Sequence, residues 1–158
     1  MTFEEFVAAY AAHLMRLSYA LCGDRGRAED AMQDALERVY LRWHRIADPV
    51  PYARQVVLNA TRDGWRRWGR RERYQAEAAE IAIDDATASV DDRDVLLRAL
   101  RTLPHGQRAV LLLRYWEDLS EAETAAALGC SVGTVKSQTH RAMQRLRELL
   151  PTSNGALP

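Results

Sequence analysis

Apolar residues return every three or four positions along most of this chain, and where they stop, capping residues, glycine or proline stand. That spacing places them on one face of an α-helix, and no strand-like alternation appears, so the chain reads as all-α. Phe3, Phe6, Val7, Tyr10, Leu14, Leu17 and Leu21 mark a first helix that opens on the capping-box pair Thr2 and Glu5 and ends near Cys22-Gly23. Asp24 caps a second helix, expected over Arg25 to Arg45, with Ala28, Met32, Ala35, Leu36, Val39 and Trp43 facing inward. Asp48-Pro49 gives a cap and a first-turn proline to a third, running through Val56, Val57 and Ala60 toward Trp68. Gly64 lies inside it, at a cost of about 1 kcal/mol relative to alanine.

Over residues 75–91 the pattern lapses into alanines and acids, Asp84-Asp85 among them, which predicts an acidic flexible linker with Ile81 and Ile83 as candidate local anchors. Helical spacing resumes near Asp92. Val95, Leu96, Ala99 and Leu100 form a short stripe, Leu103-Pro104 interrupts it, and Gln107 to Trp116 predicts a helix whose Val110, Leu111, Leu112 and Leu113 supply much of a second core. The expected layout is two small helical domains, 1–74 and 92–151, with a frayed tail at 152–158.

The most informative stretch is Leu119 to Leu150. Ser120 and Glu123 form a second capping box, Gly129 allows a sharp reversal, and Ser131 caps the helix that follows. Val135, Thr139, Ala142, Leu146 and Leu149 fall on its inner face. The opposite face is expected to carry Gly133, Thr134, Lys136, Ser137, Gln138, His140, Arg141 and Arg145, with no acid before Glu148. Two short helices around a glycine turn, the second with an acid-free polar face, predict a DNA-binding helix-turn-helix. In such a helix the N-terminus and hydroxyls meet phosphates, while glutamine and arginine reach base edges. A merely solvated helical hairpin would not need that ordered combination.

Charge sharpens the picture. The 22 basic and 22 acidic residues cancel overall. By segment, however, residues 1–75 hold 13 basic against 10 acidic, residues 76–94 hold 1 against 7, and residues 95–158 hold 8 against 5. Two mildly basic units flank an acidic strip, a layout suited to nucleic acid. The run from Arg62 to Tyr74 interleaves Arg62, Arg66, Arg67, Arg70, Arg71 and Arg73 with Trp65 and Trp68. Guanidinium groups neutralise phosphates, and the arginines as a cluster favour that use. For the two tryptophans, packing into the core is preferred over stacking on unpaired bases.

Other classes find little support. Cys22 and Cys130 read as buried small hydrophobes in a reducing cytoplasm, not a disulfide framework. The N-terminus lacks the basic start of a signal peptide, and no apolar run approaches the roughly 20 residues of a membrane span. His13, His44, His105 and His140 are scattered, and the acids Glu29, Asp30 and Asp34 on one helix face have no partner base or metal set. No catalytic site, metal or cofactor is expected.

The segment Ala28 to Trp43 (AEDAMQDALERVYLRW), the Arg/Trp-rich run, the acidic linker, and Leu103 to Tyr115 leading into GTVKS together resemble the extracytoplasmic-function (ECF) RNA polymerase sigma factors, in their short two-domain form. The resemblance spans about residues 3 to 150. It implies a cytoplasmic alternative sigma factor that binds core RNA polymerase, directs it to promoters through −10 and −35 elements, and helps open the −10 region. By position it implies that Asp30, Gln33, Asp34 and Tyr40 contact polymerase. Asn59, Arg62, Arg66, Arg67, Arg70 and Arg71 would face −10 DNA, with the turn from Trp43 to Asp48 beside a flipped base. Ser131, Thr134, Lys136, Ser137, Gln138, His140 and Arg141 would meet the −35 groove. A separate anti-sigma protein is a further candidate partner. Gln138 stands where many members carry arginine, and Thr124 where isoleucine is common. The readings from other classes are an operator-binding helix-turn-helix regulator, which would carry a sensing domain upstream, and an adaptor that binds polymerase without reading promoters.

Overall fold

Thr2 and Glu5 satisfy each other's backbone at the start of the first helix. The Glu5 N–H donates to Thr2 Oγ1 at 3.2 Å and the Thr2 N–H to Glu5 Oε2 at 2.8 Å. The computed structural model describes residues 1–62 and 92–150, and every regular element in them is helical. The expected linker, the tail, Gly64, Trp65 and Trp68 lie outside the described residues. The chain divides into two units, Met1–Tyr74 and Gln75–Pro158.

In the first unit, α1 (Phe3–Cys22) closes on Gly23, whose φ of 69° lets its N–H return to the Tyr19 carbonyl at 2.8 Å. It packs against α2 (Arg25–Leu41), setting Phe6, Leu14, Leu17 and Leu21 over the small residues Ala28, Ala31 and Ala35 and over Val39. Large side chains facing small ones let the two helices approach closely.

The second helix is shorter than its apolar spacing predicts. It stops at Leu41; Arg42 leaves helical torsions at φ −117° and ψ 10°, and Trp43–Arg45 form one 3₁₀ turn. The break coincides with Trp43 packing its ring 5.7 Å from both Phe3 and Phe6. Each such aromatic pair contributes about 0.5–1.5 kcal/mol beyond the area it buries, a gain that favours the turn over another round of helix. Asp48 then accepts from the Val50 N–H at 3.1 Å, and α3 begins at residue 49 and runs through 62, the last described residue. It buries Ala53, Val56, Val57, Leu58 and Thr61, while Ala60 is half-buried.

The second unit comprises α4 (Asp92–Thr102), α5 (His105–Leu111), a π-helical turn (Leu112–Trp116), α6 (Glu121–Leu128) and α7 (Val132–Leu149). Residues 109 to 113 are all buried, as befits a helix apolar on every side. The helix expected to run to Trp116 widens at Leu112, and the Glu117 N–H reaches back to the Leu112 carbonyl at 2.9 Å. Asp118, at φ 55°, reverses the chain, and Arg114 Nη1 donates to the Leu119 carbonyl across the turn. Leu96 is exposed, while Ala99 and Leu100 are buried. Cys22 and Cys130 form no disulfide and are half-buried, where buried positions were expected.

Candidate nucleic-acid interface

α6 and α7 are positioned by local chemistry that the sequence spells out. Ser120 Oγ accepts from the Glu123 N–H at 3.1 Å, and Glu123 Oε2 accepts from the Ser120 N–H at 2.7 Å. Gly129 takes φ 66°, and Cys130 returns its N–H to the Ala125 carbonyl at 3.1 Å, so the chain reverses within a few residues. Ser131 Oγ then accepts from the Thr134 N–H at 3.1 Å and lies 2.9 Å from Thr134 Oγ1. Val135, Ala142 and Leu146 seat α7; Val135 packs with Val110 and Ala125, while Leu128 and Cys130 press on that cluster from its edge. Thr139 and Leu149, expected on the same inner face, are half-buried.

The other side of α7 is open. Ser131, Thr134, Lys136, Ser137, His140 and Arg141 are all exposed, as are Gly133 and Arg145. Ser137 Oγ donates to the Thr134 carbonyl at 3.1 Å. Gln138 departs from expectation: it is half-buried instead of fully outward. At 100° per residue it lies about 60° from Val135, on the shoulder of the buried stripe. Its amide makes no hydrogen bond to another described residue, Thr134 included.

The acid-free reading of this face holds for α7 alone. Glu121, in the first turn of α6, places Oε2 3.7 Å from Lys136 Nζ. Sequence spacing gives no sign of that pair, because it is made between two helices across the turn.

In the first unit, α2 carries the residues that the resemblance links to polymerase. Asp30 and Gln33 are exposed, and Tyr40 is 62% exposed with its ring edge-on to Phe3 at 5.1 Å. Asp34 is not free: Arg38 Nε donates to its Oδ1 at 2.9 Å. That hydrogen bond, followed by the attraction of the two charges, raises the Arg38 guanidinium above its ordinary pKa. The i,i+4 spacing of these two is a signal that sequence reasoning could have used. Glu29 is likewise held by Arg25 Nε at 3.0 Å.

On α3, Asn59 and Arg62 are exposed one turn apart, and Gln55 Nε2 donates to Asn59 Oδ1 at 3.1 Å. Arg42 Nη1 donates to the Tyr52 hydroxyl at 3.0 Å, tying the 3₁₀ turn to the start of α3. Arg66, Arg67, Arg70 and Arg71 lie outside the described residues. Among the described residues no group of three or more His, Cys, Asp or Glu is placed to hold a metal ion, and no helix is long and apolar enough to cross a membrane.

Comparison with known proteins accounts for both units. Residues 6–71 match the family model for Sigma-70 region 2, and residues 93–146 match the model for Sigma-70, region 4. The RNA polymerase sigma-E factor of Streptomyces coelicolor is 42% identical over 153 residues, spanning 95% of this chain and 86% of that protein. The chain belongs to the ECF sigma factors. The ECF RNA polymerase sigma factor SigL of Mycobacterium tuberculosis is 32% identical over 146 residues, with 87% of this chain and 82% of that protein covered. Among solved structures, the sigma factor RpoE of Bartonella quintana, crystallised with the anti-sigma factor NepR, has the same fold. Its TM-score is 0.71 at 24% identity, over 93% of this chain and 95% of that one. As an alternative sigma factor, the chain binds core RNA polymerase and directs it to promoters. Region 2 thus stands where an operator-binding regulator would carry a sensing domain.

Proposed function

We propose that the two units divide promoter recognition between them. The first holds core polymerase through Asp30, Gln33, Asp34 and Tyr40 on α2. It engages and helps open the −10 element with Asn59 and Arg62, and Arg66, Arg67, Arg70 and Arg71 continue that role. The second enters the −35 major groove with α7. There Ser131 and Thr134 at the helix start meet phosphate, Lys136, Ser137 and His140 flank the groove, and Gln138 and Arg141 reach base edges. The chain acts in the cytoplasm, without catalysis of its own. The sigma factor of the same fold that was crystallised with an anti-sigma factor supports a separate anti-sigma partner for this chain too.

The observation that carries this reading is the polarity of α7. Val135 is fully buried against the unit's core, while the residues that would meet DNA, apart from the half-buried Gln138, are exposed on a helix whose start is fixed by Ser131. A helix held this way presents its face with little left to order on binding. The test is transcription in vitro from a supercoiled promoter library by core polymerase with this chain. Specific new start sites that are lost with Arg141→Ala are expected. DNA binding without polymerase, or polymerase binding without initiation, would overturn the reading.

A further inference from the structure

We infer that Glu121 is an affinity- and salt-setting residue for promoter binding, acting through Lys136. The inference rests on the proposed role of α7 at the −35 element. Glu121 Oε2 and Lys136 Nζ are 3.7 Å apart, beyond hydrogen-bond distance, with side chains 39% and 65% exposed. A pair so exposed contributes little to folding. Its consequence falls instead on the face it borders. Lys136 is exposed on α7, on the flank of the face proposed to meet DNA, and the carboxylate beside it already supplies an anion. On binding DNA, Lys136 exchanges one anion for another, and Glu121 is left near the phosphates with its charge uncompensated. Wild-type Lys136 therefore adds less than a full cation to the electrostatic part of binding.

Glu121 is well placed for this: beyond the general benefit of an acid in the first turn of α6, it takes no part in the capping box. Capping of α6 is done by Ser120 and Glu123, whose reciprocal bonds leave the Glu121 side chain out of the box. No described residue makes a hydrogen bond to that side chain. Replacing its carboxylate by an amide changes the charge beside Lys136 and leaves the cap intact.

The experiment measures affinity of the reconstituted holoenzyme for a duplex promoter fragment across salt concentrations. It compares wild type, Glu121→Gln, Lys136→Gln and the double variant. Glu121→Gln is expected to tighten binding about two- to fivefold, the range that exposed ion pairs span. It should also steepen the slope of log affinity against log salt by up to about one. Both changes should be smaller when Lys136 is already glutamine, where only the repulsion between Glu121 and the phosphates is relieved. No tightening, or the same tightening in both backgrounds, overturns the pairing. Arg141→Ala in the same assay reports on the underlying reading. If it weakens binding while Glu121→Gln does nothing, only the Glu121 role falls; if neither changes binding, α7 is not the DNA-contacting helix and both fall.

Discussion

Arg108 lays its guanidinium over the end of the helix before its own: Nε donates to the Leu100 carbonyl at 2.8 Å. Nη2 donates to the carbonyls of Arg101 and Leu103, each at 3.1 Å. The last carbonyls of α4 have no intrahelical partner, and here an arginine only 3% exposed supplies one. Arg108→Met keeps the length and removes the donors, and should destabilise the second unit by about 2–4 kcal/mol. Hydrogen exchange read peptide by peptide should accelerate across 92–113 and remain unchanged in α1. Arg108→Lys should recover part of the loss, since an ammonium cannot reproduce the planar fork.

Thr124 is fully buried, and its Oγ1 has no hydrogen-bond partner among the described residues. A buried hydroxyl without a partner costs about 1–3 kcal/mol relative to an apolar group of the same shape. Thr124→Val should therefore raise the stability of this unit by about 1 kcal/mol, seen as slower exchange across 105–128. A loss of protection would mean that the hydroxyl is bonded in solution.

The Asp30→Ala, Gln33→Ala double variant removes two exposed side chains from α2 without touching the Asp34–Arg38 pair. Stability should change by no more than about 0.5 kcal/mol, and core polymerase affinity should fall by about 1–2 kcal/mol. Competition binding beside a thermal melt separates the two. A folded variant of unaltered affinity would remove these residues from the polymerase surface.

Gln138→Ala should cost about 1–3 kcal/mol on the preferred promoter and flatten preference at one −35 position, while Gln138→Arg should shift that position toward guanine. Selection from a randomised −35 library reads both. Because Gln138 sits on the shoulder of the buried stripe, the alanine variant also loses packing, so its melting temperature belongs beside the selection. Identical base preferences for all three proteins would mean that the amide reads nothing.

What was legible in the sequence was whatever is decided within one helical turn. The boxes at Thr2/Glu5 and Ser120/Glu123, and the caps Asp24 and Ser131, join residues three apart, so spacing alone locates them. The buried stripe of α7 follows in the same way from the 3.6-residue period. The end of α2 did not, because Trp43 breaks step to reach Phe3 and Phe6, forty and thirty-seven positions back in the chain. Arg108 and Glu121 were missed for a related reason: each does its work on another helix, and nothing in its own neighbourhood marks it. The exposed face of α7 was legible, yet its edge at Gln138 was drawn too generously.

The turn between α6 and α7 sets an unusual rule of substitution. Gly129 holds φ 66°, yet a Cβ built on it would meet no atom within 4 Å. The position excludes side chains by torsion and not by size. Bulk and tolerance should therefore run in opposite order: asparagine, which visits left-handed torsions with some ease, should be accepted better than the smaller alanine. Gly129→Ala should lower stability by about 1–2 kcal/mol and Gly129→Asn by less, in melts of the two variants side by side. A family of sequences drawn from this fold would then show polar substitution at a solvent-facing hinge where a count of volume alone would forecast alanine.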